Sequence, residues 1–171
     1  MVDHVRESVT IDGGILVGHD GSRGAQEALA WAGGLALRAA LDLHVVRAWS
    51  LTTTPTPSSW TPGDVPPLAD FETAVHDELE AHVAAAGIDP AVRLTCHVVH
   101  RAPARGLIES ARGADLLVVA ARGHGGFSGL LLGSVSDQCV HHAPCPVTVV
   151  HAGSVTPLPP TVDEGALHSP F

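Results

Sequence analysis

The chain has no lysine and no tyrosine. Without lysine, a Schiff-base mechanism and a Gly-Lys-Ser/Thr phosphate loop are both excluded. Its nine basic residues are all arginines, they form no block, and the net charge is −9. An acidic chain of this kind is not expected to bind nucleic acid. There are only three cysteines, Cys96, Cys139 and Cys145, an odd number at irregular spacing. That is no disulfide framework, and it fits a reducing compartment. No apolar run approaches the roughly 18 residues of a membrane span. The opening MVDHVRESVT lacks the apolar core of a signal peptide. These absences together lead us to expect a cytoplasmic protein with no membrane partner.

What is present is a regular alternation. The stretch GGILVGHD (13–20) is a short apolar run ending in a turn, with Ser22 placed to cap the helix RGAQEALAWAGGLALRAA. Within that helix Gly33-Gly34 would permit close packing on a sheet. LDLHVVRAWS (41–50) reads as a second strand, and the Pro- and Thr-rich 51–67 as a long surface loop. Leu68, Phe71, Val75, Leu79 and Val83 then make one apolar helical stripe, with Gly87 as its C-cap. The carboxylates Glu72, Asp77, Glu78 and Glu80 of the same helix read as its solvated face. AVRLTCHVVH (91–100) is a third strand, and a short helix (102–114) follows with Pro103 in its first turn. DLLVVA (115–120) is an unbroken apolar strand, SVSDQCVHHA a fourth helix with Ser134 and Asp137 as a capping pair, and CPVTVVH (145–151) a fifth strand. The order β-α-β-α-β-α-β-α-β predicts an α/β fold: a five-stranded parallel sheet, doubly wound, of the Rossmann type. Residues 1–10 read as an N-terminal extension, 11–152 as the domain, and 153–171 as a disordered Pro-rich tail.

Ligands in such sheets bind at the carboxyl ends of the strands, where strand order reverses. Two loops look specialised: Gly18 to Ser22 after strand one, and the glycine-rich AARGHGGFSGLLLGSVS (120–136) after strand four. Strands one and four are therefore expected to be neighbours. Glycine lets backbone amides approach an anion, and Gly133-Ser134 opens a helix directly after the loop. Phosphate oxygens could accept from the amides of residues 134 to 136, with the Ser134 and Ser136 hydroxyls adding bonds. The loop follows the wrong strand for a dinucleotide fingerprint. Its Phe127 and Leu130 to Leu132 would pin it to the core.

Four blocks in order, ILVGHDGSRGAQEALAWA, LHVVRAW, ADLLVVAARGHGGFSGLLLGSVS and HHAPCPVTVV, resemble the universal stress protein family over residues 11 to 151. The resemblance implies strand order 3-2-1-4-5, an adenine-nucleotide α-hydrolase-like arrangement, and ATP as ligand; Asp20, the one acidic residue placed beside the nucleotide, could contact a Mg²⁺. It implies a site in which Gly18, His19 and Asp20 follow strand one, Asp20 near the adenine or ribose. Ala48 would belong to the adenine wall, while Ala120, Arg122 and Gly123 line the loop. Gly133, Ser134, Val135 and Ser136 would hold ribose and phosphates. One position departs from the ATP-binding pattern, which has glycine where this chain has Ala120. That departure leaves a non-nucleotide dimeric scaffold open as an alternative, and a slow ATPase is a third reading. The resemblance also implies a homodimer through antiparallel pairing of the last strand (145–151). No catalytic residue is assigned, because no nucleophile elbow or carboxylate cluster is visible. No metal site is assigned either: Cys139 and His142 share a helix face, but His141 points elsewhere.

Overall fold

A computed structural model describes residues 5–123 and 131–153. The middle of the glycine loop, with Phe127 and Leu130, and the Pro-rich tail from residue 154 onward lie outside the described residues. Five parallel strands, β1 (Ile15–Gly18), β2 (Leu43–Trp49), β3 (Leu94–His100), β4 (Leu116–Ala120) and β5 (Val147–Val150), form one sheet in the order β3-β2-β1-β4-β5. Four helices alternate with them: α1 (Arg23–Ala39), α2 (Leu68–Ala85), α3 (Pro103–Ser110) and α4 (Ser134–His142). Fold class and strand order are those expected.

The sheet is covered on both sides, which is why its strands read as continuous apolar runs. Ile15, Val17, Leu43 and Val45 face one core with Leu29 of α1 and Leu79 of α2. Leu16, Val46, Leu117 and Val119 face the other with Leu107 of α3 and Cys139 of α4. Each fully buried large side chain contributes about 1.5–3 kcal/mol. Residues 5–10, from the stretch read as an N-terminal extension, pack onto the domain: Val9 is buried in the α3/α4 core beside Ile11, and the Arg6 carbonyl accepts from the His100 amide at 2.7 Å. The strand histidines His44 and His97 pair with each other, their ring nitrogens 3.2 Å apart.

The helix ends show where local signals held and where they did not. Ser22 caps α1 as expected, its Oγ accepting from the Ala25 amide at 3.1 Å. Gly87 follows the α2 cap residue Ala86 and takes the left-handed conformation, φ +60°. The expected Ser134–Asp137 pair does not form. Gly133, extended at φ −78° and ψ 164°, is the cap, so Ser134 is already helical and α4 has no side-chain cap. The glycine at position 33 serves a different contact from the one expected: a Cβ there would meet Ile88, in the loop after α2, not the sheet.

Candidate functional site

Strands β1 and β4 are hydrogen-bonded neighbours, yet the chain leaves them in opposite directions, toward β2 and β5. Over their carboxyl ends lies a cleft of about 810 Å³. It is lined by Gly18, His19 and Asp20 after β1, by Ala48 of β2, by Ala120, Arg122 and Gly123 after β4, and by Gly133, Ser134, Val135 and Ser136 opening α4. All eleven residues singled out in the sequence therefore surround one space.

Local chemistry explains how each wall is held. His19 is buried, and its Nδ1 accepts from the Gly21 amide at 3.2 Å while Nε2 lies 3.2 Å from Gln26 Oε1. Gln26 in turn donates to the His82 carbonyl at 2.9 Å. This chain of bonds selects the neutral tautomer protonated on Nε2. Burial holds His19 below its ordinary pKa of 6.5, against the opposing pull of the Gln26 bond. With both nitrogens engaged, the ring positions the turn and is not a free base. Asp20 Oδ1 accepts from the Ser22 amide at 2.9 Å. Its other oxygen stands where a side chain at position 123 would project, so any Cβ there would have to push the carboxylate aside. Gly18 is bare for the same reason, with Leu107 of α3 packed against it.

The neck of the glycine loop is tied by one carbonyl. Ala121 O accepts from the Gly133 amide at 2.7 Å and from Ser136 Oγ at 2.9 Å. Ser136 Oγ also donates to Gly133 O at 2.9 Å. Its hydroxyl proton thus points at backbone carbonyls. The first intrahelical bond of α4 runs from the Asp137 amide to Gly133 O at 2.9 Å. The amides of 134, 135 and 136 precede it and have no carbonyl within the helix to bond. They sit at the positive end of the helix dipole, on the wall of the cleft.

Ala120 ends β4 with ordinary extended geometry, since Ala40 is the only non-glycine residue with positive φ among the described residues. Its methyl group packs with the α1/α2 core and lies 3.3 Å from where a Cβ on Gly24 would stand.

Several lining residues were not singled out: Arg47 of β2, Glu78 of α2, Thr52, Thr53, Thr54 and Pro55 of the long loop, and Pro103 and Leu107 of α3. Glu78 is no solvated bystander, because its Oε2 lies 3.4 Å from a terminal nitrogen of Arg47. A signal for Arg47 existed, as it is an arginine well inside the apolar run LHVVRAW. The threonines directly follow β2 at its carboxyl end, where this architecture places ligands.

Comparison with known proteins agrees with this geometry. Residues 14–151 match the profile described as the Universal stress protein family. Universal stress protein Rv2005c of Mycobacterium tuberculosis is 39% identical over 144 residues, covering 79% of this chain and 44% of that protein. A universal stress protein of Mycolicibacterium smegmatis is 34% identical over 141 residues, covering 80% of this chain and 45% of that protein. The chain thus spans less than half the length of these curated relatives. The universal stress protein UspA of Lactobacillus plantarum superposes with a TM-score of 0.64 at 22% identity, over 83% of this chain and 99% of that one. A universal stress protein crystallised in complex with cAMP superposes with a TM-score of 0.55 at 27% identity, over 86% of this chain and 98% of that one. A matching profile over most of the chain, curated relatives above 30% identity and the β3-β2-β1-β4-β5 sheet lead to one conclusion: the chain belongs to the universal stress protein family.

Proposed function

We propose that this chain binds an adenine nucleotide, ATP in the first instance, in the cleft between β1 and β4. It would act as a regulatory stress-response module with little or no turnover. The observation that carries this reading is the convergence of three amides without helical partners, 134 to 136, with Arg122 on the wall of one roomy cleft. Bare amides at a helix N-terminus suit phosphate, and an arginine adds charge-assisted bonds. Asp20 would be the carboxylate that contacts a Mg²⁺ accompanying the phosphates. The base would lie over Ala48 toward Pro103 and Leu107. The 27%-identical relative crystallised with cAMP supports an adenine nucleotide as the class of ligand. His19, buried and bonded at both nitrogens, supports binding without hydrolysis. The packing of the Ala120 methyl beside Gly24 supports its tolerance at a nucleotide site.

The active form would be a homodimer, paired through β5. That strand ends the sheet, and an unprotected edge invites association. One experiment tests the reading. Protein purified without added nucleotide is denatured and any released ligand identified, ATP, AMP and cAMP are titrated by calorimetry, and phosphate release is assayed. Tight binding with negligible release is expected. No binding at millimolar nucleotide overturns the proposal in favour of a scaffold, and steady release overturns it in favour of an ATPase. A monomer in sedimentation at micromolar concentration would remove the dimer.

A further inference from the structure

Arg47 stands in the middle of β2 with a side chain only 9% exposed. A guanidinium carries five N–H donors, and burying them is costly unless acceptors are supplied. Its one side-chain partner among the described residues is Glu78, which reaches a single terminal nitrogen at a long 3.4 Å. His19 is close enough for its charge balance to feel Arg47, but both imidazole nitrogens are already engaged. The remaining guanidinium nitrogens are not sealed orphans. Among the described residues, the only enclosed side-chain polar atom without a partner is Trp49 Nε1. The other Arg47 nitrogens are therefore not enclosed, and the residue lines the cleft.

Their place in the cleft says what they face. In the order β2-β1-β4, Arg47 lies two strand spacings, roughly 10 Å, from the end of β4 that leads toward the α4 amides. The β2 end is walled by apolar groups: Ala48 packs against Gly106 of α3, and Leu107 packs over Gly18. An anion suits the α4 end, and a flat heterocycle with ring acceptors suits the β2 end. We infer that Arg47, aimed by Glu78, is a ligand-binding residue that donates to an acceptor on the nucleoside half of the bound nucleotide. The claim rests on the nucleotide reading above and adds to it a second polar anchor, opposite the phosphates.

The test compares the affinities of ATP and AMP for the wild-type chain, Arg47→Met and Arg47→Lys by calorimetry, with folding checked by circular dichroism. Methionine keeps the length and apolar stem but removes every donor. Loss of a buried, charge-assisted bond predicts about tenfold weaker binding, equal for ATP and AMP because both share the nucleoside. Should Arg47→Met fail to fold, Arg47→Lys is read instead: it keeps the charge but loses the planar fork, and several-fold weakening is expected. Variant affinities within twofold of wild type overturn the inference. So does a loss that grows with the number of phosphates, which would place Arg47 at the anionic end. A wild-type chain that binds neither ATP nor AMP overturns the nucleotide reading itself, and this role with it. Wild-type binding with unchanged variants overturns the role of Arg47 alone.

Discussion

The carboxylate of Asp20 occupies the space in front of Gly123, so that a Cβ at position 123 would run into Oδ2. The loops after β1 and β4 thereby meet, one supplying an acid and the other the absence of a side chain. Asp20 is itself oriented by the Ser22 amide at the start of α1. The glycine at 123 is thus explained by its neighbour, with no need for unusual backbone torsions.

Gly123→Ala is expected to displace the Asp20 carboxylate. The carboxylate is the flexible end of a half-buried side chain, so the cost should be at most about 1 kcal/mol. The melting temperature should fall and nucleotide affinity should drop with it. The effect is tested in a double-mutant cycle: in an Asp20→Ala background the stability cost of Gly123→Ala should shrink, because the clashing group is gone. Additive costs would show that the two residues do not interact.

Ala120→Gly should leave nucleotide affinity within twofold, because the methyl packs beside Gly24. It should lower stability by about 1 kcal/mol through the lost buried methyl and the added glycine freedom. Gly24→Ala is the harsher change, since its Cβ would meet the Arg122 carbonyl at 2.8 Å. It should weaken binding by shifting Arg122, which lines the proposed phosphate end of the cleft. Calorimetric titration of both variants checks the pair.

Ser134 and Ser136 should separate by function. Ser136 is buried, with its hydroxyl bonded to two carbonyls, so Ser136→Ala should cost about 1 kcal/mol of stability. Ser134 is exposed in the first turn of α4, so Ser134→Ala should leave the melting temperature unchanged and weaken nucleotide binding. Thermal melts with and without ATP distinguish the two. Equal melting temperatures for the variants would count against the strap at the loop neck.

Acidification should destabilise the fold through one buried and two half-buried histidines. Burial lowers His19, His44 and His97 below the ordinary 6.5, with the neighbouring His44 also depressing His97. The unfolded chain then takes up protons first, so the stability these groups contribute is complete above about pH 6.5 and declines as pH falls toward their folded-state values. For His19, protonating Nδ1 would also break the bond from the Gly21 amide. Melting temperatures between pH 7.5 and 5.5 should fall, and less steeply in His97→Gln. A flat profile would contradict the buried neutral state, as would normal histidine titration by NMR.

Ala40→Gly should stabilise the chain. Ala40 ends α1 in the left-handed region, φ 53° and ψ 42°, and is the one non-glycine residue there among the described residues. Relieving a Cβ from that conformation returns about 1 kcal/mol, or roughly 2–4 °C in melting temperature for a chain of this size. A lower melting temperature would mean that Ala40 makes contacts its exposure does not suggest.

Much of the molecule was legible before any coordinates. Periodicity and apolar runs are local, so nine elements, their order and the Ser22 cap could be read from neighbours along the chain. The β1 and β4 loops could be paired because alternating strands and helices admit few topologies. The α4 cap was misread because Ser134 and Asp137 carry a strong local pattern, while the extended backbone of Gly133 decides where the helix begins.

Sequence alone determined the class of fold, its strand order through family resemblance, and which residues to look for around one cleft, since each depends on residues near one another or on a shared pattern. Tertiary structure alone decided what those residues touch. Asp20 against Gly123, the Ala120 methyl beside Gly24, Ser136 strapping the Ala121 carbonyl and Arg47 reaching Glu78 all join separate segments. No local propensity encodes such contacts. They follow from which helix lies on which face of the sheet and how closely its backbone can approach.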